Sequence, residues 1–224
     1  RFESMTAKGV DSSVRYFAHS EVRESQSDMI EDGIESLLSE GALMALAPTG
    51  IGKTAAALAS AISVQRASSD NLKILFLTSR QSQHRIVVDT VQKINQKLGQ
   101  TEPSIKLVDL IGREGMCQNV DRMSGKCDCE DDLDGSMRDE LRADMQANIL
   151  LKPTHVDDLI QNSRRINLCA WATAREAVKS CNILVCDYNH VFIDSVREAS
   201  LPSMGVDIEN TILIVDEAHN LPDR

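Results

Sequence analysis

The sequence predicts an α/β fold: a parallel β-sheet flanked by helices and interrupted by a small cysteine-rich insertion. Three observations carry this. Five short apolar runs recur along the 224 residues, segments of helical pattern lie between them, and residues 113–169 break the rhythm with polar, acidic and cysteine-bearing sequence. The runs are "ALMALA" (42–47), "KILFLTS" (73–79), "IKLVDL" (105–110), "NILVCDY" (182–188) and "TILIVDE" (211–217). Four of them are near-continuous rather than alternating, as expected of parallel strands covered on both faces.

The helices follow in order. Met29, Ile30, Ile34, Leu37 and Leu38 repeat at helical spacing and stop at Gly41, a C-terminal stop signal. "KTAAALASAISVQRA" (53–67) is alanine-rich and strongly helix-forming. "QHRIVVDTVQKINQKLG" (83–99) places Ile86, Val87, Val91, Ile94 and Leu98 on one stripe and ends at Gly99. Inside the insertion, helical patterns are confined to residues 137–151 and 155–166. The expected division is 1–112, an insertion at 113–169, and a return to the α/β unit at 170–224.

Composition sets bounds on function. At 42% hydrophobic the chain can bury a core and is not a disordered sequence. No apolar run reaches the length of a membrane span and no signal-peptide pattern opens the chain, so the expected compartment is the cytoplasm, or the nucleus in a eukaryote. Thiols stay reduced there, and six cysteines point to metal binding or buried thiols before disulfides. The net charge of −10 means that nucleic acid would need a local basic groove. Eight acidic residues between Asp128 and Asp144, against Arg138 and Arg142, read as a solvated acidic face. The chain opens at Arg1 without an initiator methionine and stops at Arg224 soon after its last predicted strand; the expectation is a piece of a longer protein.

"ALMALAPTGIGKTAAALA" reads as strand, glycine-containing turn and helix. Around Thr49, Gly50, Ile51 and Gly52 the glycines let backbone N–H groups curl about phosphate oxygens, and the helix adds its positive N-terminal end. Lys53 would reach the β- and γ-phosphates of ATP, and the Thr54 hydroxyl would ligate Mg²⁺. The other half of such a site is an acid at the end of a buried strand. "TILIVDEAHN" supplies Asp216 to hold Mg²⁺ through water and Glu217 to orient the attacking water.

A-P-T-G-I-G-K-T at 47–54 together with D-E-A-H at 216–219 resembles the superfamily 2 helicases, which implies a RecA-like motor domain. In that superfamily alanine is common at the first loop position, where this chain has Ala47. Arg23-Glu24-Ser25-Gln26 looks like the family's Q motif; the resemblance gives Gln26, with Arg23, the role of reading the adenine edge, and an amide can both donate and accept there. "LTSRQSQ" (77–83) resembles motif Ia, which implies DNA-backbone contacts by Thr78, Ser79 and Arg80, with His84 and Arg85 nearby. The alternative is a helix N-cap by Thr78 or Ser79 beside solvated arginines. His219 resembles the residue that couples nucleotide state to DNA.

Three further stretches resemble one branch, the XPD/DinG-type helicases, whose insertion holds a [4Fe–4S] cluster on four cysteines. Gly112-Arg113-Glu114-Gly115-Met116-Cys117 resembles the approach to the cluster, Cys169-Ala170-Trp171-Ala172-Thr173-Ala174-Arg175 the exit from it, and Cys186-Asp187-Tyr188-Asn189-His190 the segment after the next strand. The implied ligands are Cys117, Cys127, Cys129 and Cys169. The tight Cys127-Asp128-Cys129 spacing departs from the family's wider pair. Four thiolates could equally hold Zn²⁺. Cys181 and Cys186, beside or within an apolar strand, read as buried thiols. Arg113 is the candidate for cluster support or DNA contact, and Trp171 and Tyr188 are either base-stacking platforms or packing residues.

The resemblance implies an ATP-dependent, 5′→3′ DNA helicase acting on single-stranded or forked DNA in repair or replication, as a monomer or with repair-complex proteins. The superfamily draws hydrolytic arginines from a second RecA-like domain, so these residues alone are expected to bind nucleotide, hydrolyse it weakly and unwind nothing. The rival readings are a zinc-bearing DEAH-type ATPase or RNA helicase, and a redox-responsive nucleic-acid-binding module.

Overall fold

The computed structural model describes residues 14–221 apart from 49, 118, 122 and 125. In chain order its main elements are α1 (Glu24–Leu38), α2 (Lys53–Ala67), β1 (Lys73–Leu77), α3 (Gln81–Leu98), β2 (Leu107–Asp109), α4 (Gly135–Leu151), α5 (Val156–Arg164), α6 (Ala170–Val178), β3 (Ile183–Cys186) and β4 (Thr211–Val215). The four strands form one parallel sheet in the order β2-β3-β1-β4, with Ile74 of β1 opposite Ile183 on one side and Ile212 on the other.

Alternation along each strand splits the core into two layers. Ile74, Phe76, Leu107, Ile183 and Val185 face α1, α2 and α3, while Leu75, Leu77, Val108 and Leu184 face α4, α5 and α6. Each fully buried side chain of this size contributes about 1.5–3 kcal/mol of transfer free energy. The near-continuous apolar strands are thereby explained: both faces are covered. Among the described residues the insertion shows no separate core. Met116, Ile149, Val156, Leu159 and Ile160 share the second layer with the sheet, because a stretch this short and polar buries too little by itself.

One predicted strand does not form. Residues 42–47 run as irregular chain, with Met44 97% and Leu46 103% exposed. An apolar run becomes a strand only where a neighbour supplies ladder hydrogen bonds and cover, and the described residues offer it neither. Among the described residues β4 is correspondingly an edge, paired with β1 alone, and Leu213 on it is exposed.

Candidate nucleotide and thiol sites

α1 and α2 cross closely at Gly33, where a Cβ would sit 2.7 Å from Ser60 Oγ. That crossing carries Gln26, at the start of α1, onto the loop before α2. Gln26 is buried; its Oε1 accepts from the Arg23 N–H at 2.9 Å and its Nε2 donates to the Ile51 carbonyl at 2.6 Å. The glutamine is thus a strap on the loop, with one amide N–H left for a ligand, while the Arg23 side chain is on an exposed residue. Thr49 lies outside the described residues.

Gly50 and Gly52 have φ of +84° and +83°, and Gly52 is the N-cap of α2. The first turn of α2 carries no acidic residue, so its positive end remains open to an anion. Lys53 Nζ donates to the Ala47 carbonyl at 3.0 Å, folding the ammonium back over the loop. Thr54 is half-buried beside it. A Cβ on Gly52 would meet Gln26 Nε2 at 2.6 Å and force a left-handed φ on an L-residue. Gly52→Ala is therefore expected to cost about 1–2 kcal/mol and to lower Tm by roughly 2–8 °C in calorimetry; an unchanged Tm would refute the strap.

The acids stand at the carboxyl end of β4. The Asp216 N–H donates to the Leu77 carbonyl at 2.9 Å, continuing the ladder with β1. Burial, then the neighbouring Glu217, pushes the Asp216 carboxyl above its usual range, and the Lys53 ammonium opposes both. The two predicted halves of the site therefore sense each other electrostatically. Glu217 has φ of +50°. The backbone at this turn is held by Tyr188, whose hydroxyl donates to the Asp216 carbonyl and, at 3.3 Å, to that of Glu217. Tyr188 is fully buried, so of the two roles open to it from sequence it takes packing. His219 is exposed, with Nδ1 3.4 Å from Glu217 Oε2.

The thiols gather through a local turn. The Asp121 carboxylate accepts from the N–H groups of Met123 and Ser124, and Val120 bridges Cys127 in antiparallel fashion. Cys127 and Cys129 return in this way to Cys117; the three Sγ atoms lie within 4.8 Å of one another, with Cys117 and Cys129 3.1 Å apart and unbonded. The single-residue Cys127–Cys129 spacing is compatible with both thiols facing the same point. Cys169, buried at the N-cap of α6, stands outside that trio, although the Cys127 and Cys117 thiols contribute to its titration. Burial first, then those neighbours, pushes Cys169 up to about 11. Cys127 goes the other way: burial raises it, but the Arg113 guanidinium, 3.6 Å from its Sγ, and the Cys129 N–H outweigh burial and bring it below the ordinary thiol value. Free thiols crowded this closely, one of them biased toward thiolate, are a donor set suited to a thiophilic metal. Cys181 and Cys186 are buried in the core, and burial raises both, Cys181 to about 11.

The predicted DNA contacts separate. Thr78 is fully buried; its backbone N–H donates to the Cys186 carbonyl, and its hydroxyl oxygen is buried with no partner among the described residues, away from the surface where a backbone phosphate would lie. Arg80 rather than Thr78 or Ser79 is the N-cap of α3, and its side chain is exposed. Ser79 and Arg113 line a cavity of about 650 Å³ at the carboxyl ends of β1, β2 and β3, together with His84, Trp171, Arg175 and Asn189. Trp171 is clasped by two guanidiniums, Arg113 at 4.7 Å and Arg175 at 4.4 Å from its ring centroid. His84 Nδ1 is 2.5 Å from Asp109 Oδ1, and the Val156 N–H donates to Asp109 Oδ2. This buried carboxylate was missed from sequence; a lone acid inside the apolar run "IKLVDL" was the signal available.

The DEAD_2 family profile matches residues 54–224. The chain belongs to the DEAD_2 family. Among curated relatives, "ATP-dependent DNA helicase chl1" of Schizosaccharomyces pombe is 27% identical over 166 residues, covering 67% of this chain and 19% of that protein. "ATP-dependent DNA helicase DDX11" of Danio rerio is 33% identical over 79 residues, 35% of this chain and 8% of that one. The DEAD_2 chain thus spans about a fifth or less of the length of these relatives. Among solved structures, one described as "XPD_Helicase" superposes with a TM-score of 0.61 at 18% identity, over 92% of this chain and 34% of that one. "Truncated XPD" gives 0.57 at 20% identity, over 86% and 52%. The resemblance to XPD/DinG-type helicases and the RecA-like fold class are both borne out.

Proposed function

We propose that this DEAD_2 chain is the ATP-binding motor domain of a 5′→3′ DNA helicase that carries a [4Fe–4S] cluster and serves DNA repair or replication in the nucleus or cytoplasm. The observation that carries the reading is the left-handed Gly50/Gly52 loop leading into the acid-free N-terminus of α2 at Lys53, in one fold with Asp216 at the carboxyl end of β4, where its N–H continues the ladder with β1. In this reading Gly50, Ile51 and Gly52 cradle the phosphates and Lys53 leaves the Ala47 carbonyl for them. Gln26, with Arg23, borders the adenine, and Glu217 orients the attacking water. Thr54 and Asp216 would hold Mg²⁺, which neutralises phosphate charge when bound. His219 would link the nucleotide to DNA.

The insertion at 113–169 would hold the cluster on Cys117, Cys127, Cys129 and Cys169, where it serves as a rigid cross-link. Single-stranded DNA would cross the carboxyl ends of the strands, meeting Ser79, Arg80, Arg113 and the clasped Trp171. What supports this path is the basic and aromatic lining of the cavity in a chain whose net charge is −10. The relatives' names point the same way.

The test has two parts. Anaerobically purified protein should contain iron and sulfide in equal amounts with a broad visible absorption; zinc without sulfide would favour the zinc-bearing ATPase instead. ATP turnover by the full-length protein should rise with single-stranded DNA, and a turnover indifferent to DNA would sink the motor reading.

A further inference from the structure

Glu130 follows Cys129 directly, and its carboxylate is held from two sides. Oε1 accepts from the backbone N–H of Cys169 at 2.9 Å, and Oε2 pairs with Arg142 Nη2 of α4. The pair is mostly withdrawn from water, with side chains 16% and 28% exposed, and Arg142 Nε is buried with no partner among the described residues. A fully exposed ion pair would contribute about 0–1 kcal/mol. Here the loss of one partner leaves a half-buried charge uncompensated.

The position of this contact gives it meaning. Cys117, Cys127 and Cys129 are gathered by the Val120–Cys127 bridge, but Cys169 arrives from the far end of the insertion and stands outside their trio. A hydrogen bond that joins the two parts runs from the Cys169 backbone N–H to Glu130, beside the contact between the Cys169 and Cys127 thiols. It acts at the first residue of the exit stretch, where α6 begins.

We propose that Glu130 is a positioning residue, a carboxylate latch that holds Cys169 against the other three thiols and, through Arg142, fixes that corner to α4. The latch rests on the reading of the four cysteines as a metal-binding set. It makes Glu130 a determinant of metal retention and of the accessibility of the Cys169 thiol, with Gln expected to serve partly because it keeps an acceptor for the N–H.

The experiment compares wild-type chain with Glu130→Ala, Glu130→Gln and Arg142→Ala. Iron, zinc and sulfide content of the wild type judges the metal set alone. The latch is judged separately on metal-stripped protein, by residue-resolved alkylation with iodoacetamide. Glu130→Ala should speed alkylation of Cys169, and in loaded protein metal loss to a chelator, by roughly tenfold or more, the scale of outer-shell substitutions; Glu130→Gln should lie between. Core Cys181 should keep its wild-type rate. Equal Cys169 rates in wild type and Glu130→Ala overturn the latch even if the metal is present. A metal-free wild type whose Glu130→Ala variant still unmasks Cys169 overturns the metal set and keeps the latch. Should Glu130→Ala expose Cys181 as well, the other two variants decide: the latch stands if either frees Cys169 alone, and falls if neither does.

Discussion

Lys53→Ala is expected to weaken ATP binding by roughly 10- to 150-fold, the value of about 1.5–3 kcal/mol for a hydrogen bond to a charged group. The ammonium folds back on the Ala47 carbonyl at 3.0 Å, so it is already over the loop and needs only to exchange that acceptor for phosphate oxygens. Its loss acts twice. In the proposed site it would remove the cation meant for the phosphates, and it removes the charge that opposes burial and Glu217 in raising the Asp216 carboxyl. Asp216 then becomes harder to ionise and a poorer partner for Mg²⁺, so the deficit should be larger with Mg²⁺ than without. Titration with a fluorescent ATP analogue, with and without Mg²⁺, reads both effects. Unchanged affinity would remove Lys53 from the site.

The second large effect lies in the thiol corner. Cys117→Ser should abolish metal binding and open the segment after β2 to proteolysis, whereas Cys181→Ala should keep full metal content. Structural zinc sites in small fingers supply about 10–16 kcal/mol of apparent folding free energy, more than the stability of most domains, so losing a ligand is felt far beyond one contact. Cys117 is buried and 3.1 Å from Cys129, at the centre of the trio. Cys181 is buried in the second core layer, away from the trio. Metal analysis and limited trypsin digestion compare the two. Equal metal content in Cys117→Ser and wild type would mean that the trio holds no metal.

The periodic parts of the chain were the legible ones. Four of five strands and the principal helices follow from hydrophobic spacing, because each strand is covered by helices on both faces and each helix buries one stripe. The 42–47 run misled for the same physical reason: its apolarity records a demand for a paired, covered place, and the described residues do not supply one. The loop before α2 and the strand end at Asp216 could be located because short-range motifs carry their own geometry. The inward side of Thr78 could not, since whether a side chain at a strand end is covered depends on the elements packed over it, and here Thr78 is fully buried. Gln26 was readable as a residue but not as a strap, because its partner Ile51 comes close only through the α1–α2 crossing. Glu130 and Asp109 make contacts between distant segments; the lone acid in an apolar run was a hint for Asp109, and no local pattern announces Glu130.

The open side of β4 shapes how the folded protein behaves as a solute. The side of Thr211–Val215 turned away from β1, which pairs with no strand among the described residues, an exposed Leu213 and the bare Met44 and Leu46 make an adhesive margin, the kind of edge onto which another extended chain adds. Elsewhere the acidic surface keeps copies apart. Colloidal stability is therefore set by a contest between long-range repulsion, which salt weakens, and this short apolar seam, which salt does not.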